Sequence, residues 1–418
     1  MSAWAETTLK KVAEKISYGY TASATEQNTG VKFLRITDIA SGPIDWDTVP
    51  YCEISETDIE KCGLSEGEIV IARTGATVGY AKQIRRNPPH SVFASYLVRV
   101  RLKDNVCKRF VGILTESDNY KYYINTIAGG SAQPNANAQD LCSYPFYLPP
   151  IHVQQKVAAI LSAYDELIEN NQQRIALLEK MAEEIYREWF VRLRFPGYQK
   201  AKFVKGIPHG WRVAELKELA SVNPSNISRR GSPDAILYID ISSVSTNRID
   251  DVTLYASAHA PGRARRRVKH GDVIWSSVRP ANRAYCLIYE PDENLIVSTG
   301  FAVIRPNDTT PFTFLFFAVT SNPFVDQMTT VAKGAAYPAT SFDDFEKAKL
   351  LVPTDDLMKS FHEKAEPMFR QKHFLQQQSE RLRKTCGLLL PRLISGKLSV
   401  ENLDIQFPPS MVEPIHET

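Results

Sequence analysis

Residues 157–189 read VAAILSAYDELIENNQQRIALLEKMAEEIYREW. Within them Val157, Leu161, Tyr164, Ile168, Asn171, Ile175, Leu178, Ala182, Ile185 and Trp189 step by 4, 3, 4, 3 without a break. Alternating steps of four and three keep one face of an α-helix in line, and over more than four heptads they make a coiled-coil seam. No Pro or Gly interrupts Val153 to Phe190, and Pro149-Pro150 marks the start. At the usual rise, about 40 residues of helix span roughly 60 Å.

Adding 204 to each seam position gives Phe361, Ala365, Met368, Lys372, Leu375, Ser379, Leu382, Cys386, Leu389 and Leu393, a second seam in the same register. The same offset relates Ile127-Ala128-Gly129-Gly130-Ser131-Ala132-Gln133-Pro134 to Val331-Ala332-Lys333-Gly334-Ala335-Ala336-Tyr337-Pro338. It also relates Gly67-Glu68-Ile69-Val70 to Gly271-Asp272-Val273-Ile274, Asp140 to Asp344, Pro149 to Pro353 and Phe110 to Phe314. Trp4, Leu9 and Val12 answer to Trp211, Leu216 and Leu219 at an offset of 207, so one short indel separates the ends. Matches in the same order along a whole half make the chain two copies of one unit. Asn171, Lys372 and Ser379 put polar groups into the seam, where they would fix register at some cost in stability. In an antiparallel pair, Asn171 and the 372–379 region would meet near the middle.

Ahead of each seam the sequence is strand-rich. Alternation in Tyr96 to Arg101 and Phe301 to Arg305 predicts strands, as do Glu68 to Ala72 and Asp272 to Trp275. A shorter helical stretch is expected at 110–124 and at 314–328. The expected fold class is α+β: two mixed α/β domains separated by two long antiparallel coiled-coil helices, in a pseudo-twofold internal repeat.

Composition narrows the function classes. The 418 residues are 43% hydrophobic and 23% charged, ordinary for a globular protein of two or three domains. The longest apolar run, Phe314 to Val319, is too short to span a bilayer, and Glu6, Lys10, Lys11 and Glu14 break up any leader-like stretch. Six cysteines without a Cys-x-x-Cys pair predict reduced thiols and a cytoplasmic home, with no membrane partner. Basic and acidic residues balance at 16 each over 1–150, 7 each over 151–200 and 9 each over 351–418. The net +3 therefore sits in 201–350, with 18 basic against 15 acidic residues.

Two such units, each followed by a long helix, resemble the specificity subunit of type I restriction–modification systems. The likeness rests on Trp4 to Val12 and Trp211 to Leu219, and on the Gly-x-Ala-x-Pro elements at 130–134 and 334–338. It rests also on Leu148-Pro149-Pro150-Ile151-His152-Val153-Gln154-Gln155-Lys156 entering the first helix and on 388–398, LLLPRLISGKL, leaving the second. Val352-Pro353-Thr354-Asp355 departs from the pattern, lacking the second Pro and the Gln pair. The resemblance implies a first target-recognition domain over 1–150, a conserved spacer helix over 151–195 and a second domain over 196–350. A second conserved helix over 351–400 and a tail over 401–418 follow. It implies double-stranded DNA with a bipartite site as ligand, two modification (methyltransferase) subunits docked on the helices, and restriction/motor subunits through them. S-adenosylmethionine, ATP and Mg would belong to those partners, with no cofactor in this chain. DNA repeats about every 34 Å, so a roughly 60 Å spacer could set two heads on successive turns.

Motifs for chemistry are missing. Asn87-Pro88-Pro89-His90 resembles an adenine methyltransferase motif, but its fourth residue is His and no Gly-rich cofactor loop precedes it. There is no phosphate-binding Gly-x-x-x-x-Gly-Lys-Ser/Thr loop, and no His/Cys spacing of a metal site. The expectation is a non-enzymatic recognition subunit. The alternatives are a self-contained DNA methyltransferase or nuclease, and a coiled-coil scaffold that reads no DNA.

Candidate DNA contacts are side chains that bind phosphate or base edges, standing in loops. In the first domain they are Arg73, Thr74, Arg85, Arg86, Gln133, Asn135 and Asn137. In the second, Arg263, Arg265, Arg266, Arg267 and Lys269 form a basic run that also fits a plain solvated loop. Ser276, Ser277, Arg279, Asn282 and Arg283 occupy the loop matching Arg73-Thr74, and Lys333, Tyr337 and Thr340 the one matching 133–137. Arg229 and Arg230 are weaker candidates. Helix-pairing residues are Leu161, Tyr164, Ile168, Asn171, Ile175, Leu178, Ile185, Phe361, Met368, Lys372, Leu375, Ser379, Leu382 and Leu389.

Overall fold

A computed structural model describes residues 4–40, 42–85, 87–128, 134–227, 233–334 and 337–411. The first long helix runs Ile151–Tyr186 and continues through a π-helical turn, Arg187–Val191; the second runs Asp355–Ile394. Two compact units form, Met1–Asn170 with Ser379–Thr418, and Asn171–Gln378. Packing therefore divides the chain differently from the linear sequence, because each unit takes half of each helix.

The apolar faces explain that division. In the first unit Val153, Val157, Ala158 and Leu161 share a core with Leu9, Ile69, Val100 and Phe110, closed by Leu393 and Val400. In the second, Ala182, Tyr186 and Trp189 share a core with Phe314, Phe317, Phe361 and Phe369. Every seam position is buried or half-buried, the charged Lys372 included. Within the second unit the Asn171 amide donates to Gln378 Oε1 at 3.2 Å, and Lys372 Nζ lies 2.6 Å from Glu179. Partner numbers fall as the first helix rises, so these segments run antiparallel.

Each unit is built on a four-stranded antiparallel sheet. In the first the order is Ala13–Tyr18, Leu97–Leu102, Ile69–Ala72, Ala81–Gln83; in the second it is Ala220–Val222, Phe301–Pro306, Val273–Ser276, Tyr285–Leu287. The short pairs Ala5–Thr8 with Pro145–Leu148 and Arg212–Glu215 with Lys349–Val352 also correspond. Internal repetition in the sequence is thus repetition of topology.

The strand that alternation predicts at 96–101 forms as Leu97–Leu102 and is buried along nearly all of both faces. Val98 and Val100 face the helices' core, while Leu97 packs with Val70, Ala72 and Phe93 in a second one. Arg99 is tolerated there because its guanidinium donates to the Gly63 and Lys61 carbonyls and stands 3.6 Å from Glu68. The single helical stretches are pairs of helices, Lys108–Glu116 with Asp118–Ala128 and Phe312–Thr320 with Asn322–Val331. Ser117 breaks the first with its hydroxyl on the Leu114 carbonyl, and Pro323 starts a new helix in the second. All six cysteines are free thiols. Among the described residues no helix is long and apolar enough to cross a membrane.

Candidate nucleic-acid interface

The loop that follows each central strand is held by backbone hydrogen bonds to two others. In the first unit Arg73 N–H donates to the Tyr96 carbonyl at 3.1 Å, Gly75 N–H to Pro134 at 2.9 Å, and Ala136 N–H to Arg73 at 2.9 Å. In the second, Ser277 N–H donates to Gly300 at 2.9 Å, Arg279 N–H to Pro338 at 2.7 Å, and Thr340 N–H to Ser277 at 2.9 Å. Every donor and acceptor in the second set is its counterpart plus 204. The bridges Thr74–Asn135 and Val278–Ala339 repeat likewise, as do the capping boxes of Asn137 with Asp140 and Ser341 with Asp344. Beneath them, Glu68 with Arg101 and Asp272 with Arg305 anchor equivalent strand ends at 2.8 and 2.7 Å.

On this frame the first unit carries half-buried Arg73 and Thr74 and exposed Asn135 beside two aromatics. The Arg73 guanidinium lies 4.9 Å from the centre of the Tyr18 ring, its Nε buried without a hydrogen-bond partner. Tyr18 is exposed and its hydroxyl accepts the Ala138 N–H at 3.2 Å; Tyr96 is exposed on the neighbouring loop. These tyrosines went unrecognised in the sequence because they look like strand and turn residues there; their signal is position beside the Arg73 loop.

In the second unit Arg279 and Asn282 are exposed, Arg283 half-buried, and the Arg279 guanidinium lies 4.6 Å from the centre of the Tyr337 ring, itself 69% exposed. Lys333 is exposed across its loop. The basic run is not a loop: Ala264–Arg267 is a strand pairing with Leu295–Ser298. Its alternation turns Arg266 inward, 9% exposed, onto the Phe342 ring at 4.6 Å, where burial lowers its pKa. Arg263 stands at the reading end, its carbonyl accepting Thr299 N–H, and Arg265 is half-buried beside it. Among the described residues no carboxylate forms a salt bridge with Arg73, Arg263, Arg265, Arg266, Arg267 or Arg283. Arg73 in the first unit, and Arg263, Arg265 and Arg283 in the second, put positive charge at the loops, where it attracts anions.

Several candidates lie elsewhere. Arg85 follows Ala81–Gln83 at the end of the sheet opposite the Arg73 loop and pairs with Glu116 at 3.1 Å and Asp165 at 3.3 Å. Lys269 precedes Val273–Ser276, likewise at the far end, and Arg267 points the strand that way, pairing with Ile296. Ser277 and Thr340 are buried, their hydroxyls bonded to the Gly300 and Ser277 carbonyls. Ser276 is buried with its hydroxyl on Val278. Asn137 spends its carbonyl oxygen capping Ala138–Leu141. Arg86, Gln133, Arg229 and Arg230 lie outside the described residues.

Residues 1–180 match the family model described as "Type I restriction modification DNA specificity domain". The likeness to type I specificity subunits extends beyond them. The chain is 24% identical over 381 residues to the type I restriction enzyme MjaIX specificity subunit of Methanocaldococcus jannaschii, covering 84% of this chain and 82% of that protein. It is 21% identical over 416 residues to the putative MjaX specificity subunit of the same organism, covering 95% and 94%. The crystal structure of a type I restriction-modification S subunit from M. genitalium matches 94% of this chain and 96% of that one, with TM-score 0.57 and 15% identity. That likeness is one of fold: mixed helix and sheet with long helices.

Proposed function

We infer that this chain is the DNA sequence-specificity subunit of a type I restriction–modification enzyme, with each unit reading one half of a bipartite double-stranded site. The observation that carries this is the repeated loop frame. Both units hold the same three loops by the same backbone bonds, and both set arginine beside an aromatic ring on them, Arg73 by Tyr18 and Arg279 by Tyr337. In the first unit the readers are Arg73, Thr74 and Asn135, with Tyr18 and Tyr96 as stacking or packing surfaces. In the second they are Arg263, Arg265, Arg279, Asn282, Arg283, Lys333 and Tyr337, with Arg266 adding field from within. Arginine and amide side chains suit base edges, and the same arginines suit phosphate.

The specificity-subunit relatives support a non-catalytic recognition role. Among the described residues no group of three His, Cys, Asp or Glu side chains could hold a metal ion. Two methyltransferase subunits dock on the long helices, and restriction/motor subunits join through them in the cytoplasm. S-adenosylmethionine, ATP and Mg act in those partners. The near-neutral first unit fits such shared work, since partners contribute phosphate contacts.

Co-expression with methyltransferase partners, followed by mapping of methylated adenines, tests the reading. A bipartite motif is expected, and exchange of residues 1–150 for a related domain changes one half of it only. Methyl transfer by this chain alone, or a change in both halves, overturns it. A complex that protects no particular DNA sequence would make the chain a scaffold.

A further inference from the structure

The turn after the second central strand holds two arginines in a conformation that side chains disfavour. Arg279 has φ 50° and ψ 63°, and Arg283 has φ 54° and ψ 38°, both left-handed, on either side of the short helix Pro280–Asn282. Minus 204, these positions are Gly75 and Gly79, with φ of 75° and 80°. One backbone path is thus used twice, with the residue that accepts it freely in one unit and with arginine in the other. Non-glycine residues held left-handed cluster where function requires the side chain.

Space and orientation agree with that at the first of the two positions, while a Cβ on Gly79 would meet the Ile124 side chain at 2.9 Å. A Cβ built on Gly75 meets nothing within 4 Å, so the backbone at this position aims a side chain away from the protein. In the second unit the side chain there is exposed, and the Tyr337 ring supports the Arg279 guanidinium. Arg283 is fixed through its backbone, its N–H on the Pro280 carbonyl at 3.0 Å and its carbonyl accepting the Thr246 hydroxyl at 3.0 Å. A guanidinium fork pairs bidentately with phosphate or with the N7 and O6 edge of guanine in the major groove. Of the two only the guanine edge carries sequence, and a sequence contact is what a side chain aimed outward from the loop frame would supply.

We propose that Arg279 and Arg283 are guanine-reading determinants of the second unit, and that the equivalent turn of the first unit, built on Gly75 and Gly79, reads no guanine. This rests on the DNA-specificity reading above. The full chain is co-expressed with its methyltransferase partners as wild type, Arg279→Gly, Arg283→Gly and the double variant. Methylated sites are mapped, methylation rates on cognate and single-substituted duplexes compared, and melting temperatures recorded. Glycine is the residue this backbone prefers, so melting is expected to stay within a few degrees of wild type.

Each single variant is expected to methylate the cognate site roughly 10–100-fold more slowly and to lose its demand for guanine at one position of the second half-site. The first half-site keeps its sequence. An unchanged second half-site overturns the proposal. So does a uniform loss on all sequences with a shallower salt dependence, which marks phosphate contacts instead. A relaxed first half-site overturns the assignment to this unit. If the wild-type complex methylates no defined motif, the specificity reading itself falls, and the variants are not what failed.

Discussion

Replacing Glu116 by Gln removes one charge from a carboxylate whose side chain is 15% exposed and which holds three donors. Arg85 Nη2 lies 3.1 Å and Lys82 Nζ 3.7 Å from Oε2, and the Gln83 N–H donates to Oε1 at 3.0 Å. At an effective dielectric near 20, each cation attracts the carboxylate by about 4–5 kcal/mol before desolvation is counted. Arg85 and Lys82 are 40% and 24% exposed, so water takes over part of what they lose. Exposed pairs contribute less than about 1 kcal/mol, whereas breaking a buried one costs roughly 3–5 kcal/mol. Glu116→Gln falls between these limits and is expected to destabilise the first unit by roughly 2–3 kcal/mol.

The pH dependence separates charge from packing. Burial pushes the Glu116 carboxyl up, but Arg85, Lys82, Arg109 and the Gln83 N–H pull it further down, below the usual carboxylate range. A group with its folded pKa below the unfolded one adds stability above the unfolded pKa and loses it as pH falls through the folded value. The gap between wild type and variant is therefore full at pH 7 and narrows once the pH drops below about 4. Urea unfolding reads it, with hydrogen exchange of amides in Lys108–Glu116 assigning the transition, since two compact units need not unfold together. With a slope of about 2–3 kcal/mol per molar, the midpoint at pH 7 drops by about 1 M. A shift under roughly 0.2 M would refute the ion-pair argument, as would a gap that persists in acid.

Thr340→Ala is expected to cost about 1 kcal/mol of stability through its lost bond to the Ser277 carbonyl while methylation specificity stays intact; Tyr337→Ala should do the reverse, and melting with methylation mapping compares them. Asp272→Ala leaves the bidentate Arg305 unpaired at a buried strand end and is expected to cost roughly 3 kcal/mol in urea unfolding of the second unit. Lys372→Met combined with Glu179→Leu replaces a half-buried seam pair by apolar groups and should leave the melting temperature nearly unchanged or raised. The isolated chain should bind DNA weakly, losing at least about tenfold in affinity between 50 and 200 mM salt in a titration.

The helices and the repeat were legible because both rest on spacing. A 4-3 step survives any exchange of one apolar residue for another, and the 204 offset survives wherever glycine, proline or a buried acid fixes the backbone. Reading residues were legible only as types. Arg85 and Arg279 both stand in loops and look alike in sequence; a short strand between them and the loop end decides that one pairs with Glu116 and Asp165 and the other rests on Tyr337. Ser277 and Thr340 looked like readers, yet their hydroxyls are spent on the frame. The strand Ala264–Arg267 looked like a loop because three of its four residues are arginines, and only pairing with Leu295–Ser298 makes a strand of it.

The frame also explains how one fold can carry different readers. Its loops are tied through N–H and C=O groups, which every residue but proline supplies, so the ties do not depend on side chains. Thr74 and Val278, Asn135 and Ala339, Ala136 and Thr340 occupy matching places in the two frames with no chemistry in common, yet the bonds around them repeat at offset 204. Positions 75 and 279 go further, since the backbone there is left-handed and arginine still occupies it in one copy. Stability in each unit comes from the helix-packed core and the Glu68 or Asp272 anchor, at the end of the sheet away from the reading loops. A substitution in the loops therefore changes what is read before it threatens the fold, and a substitution at the anchors does the opposite.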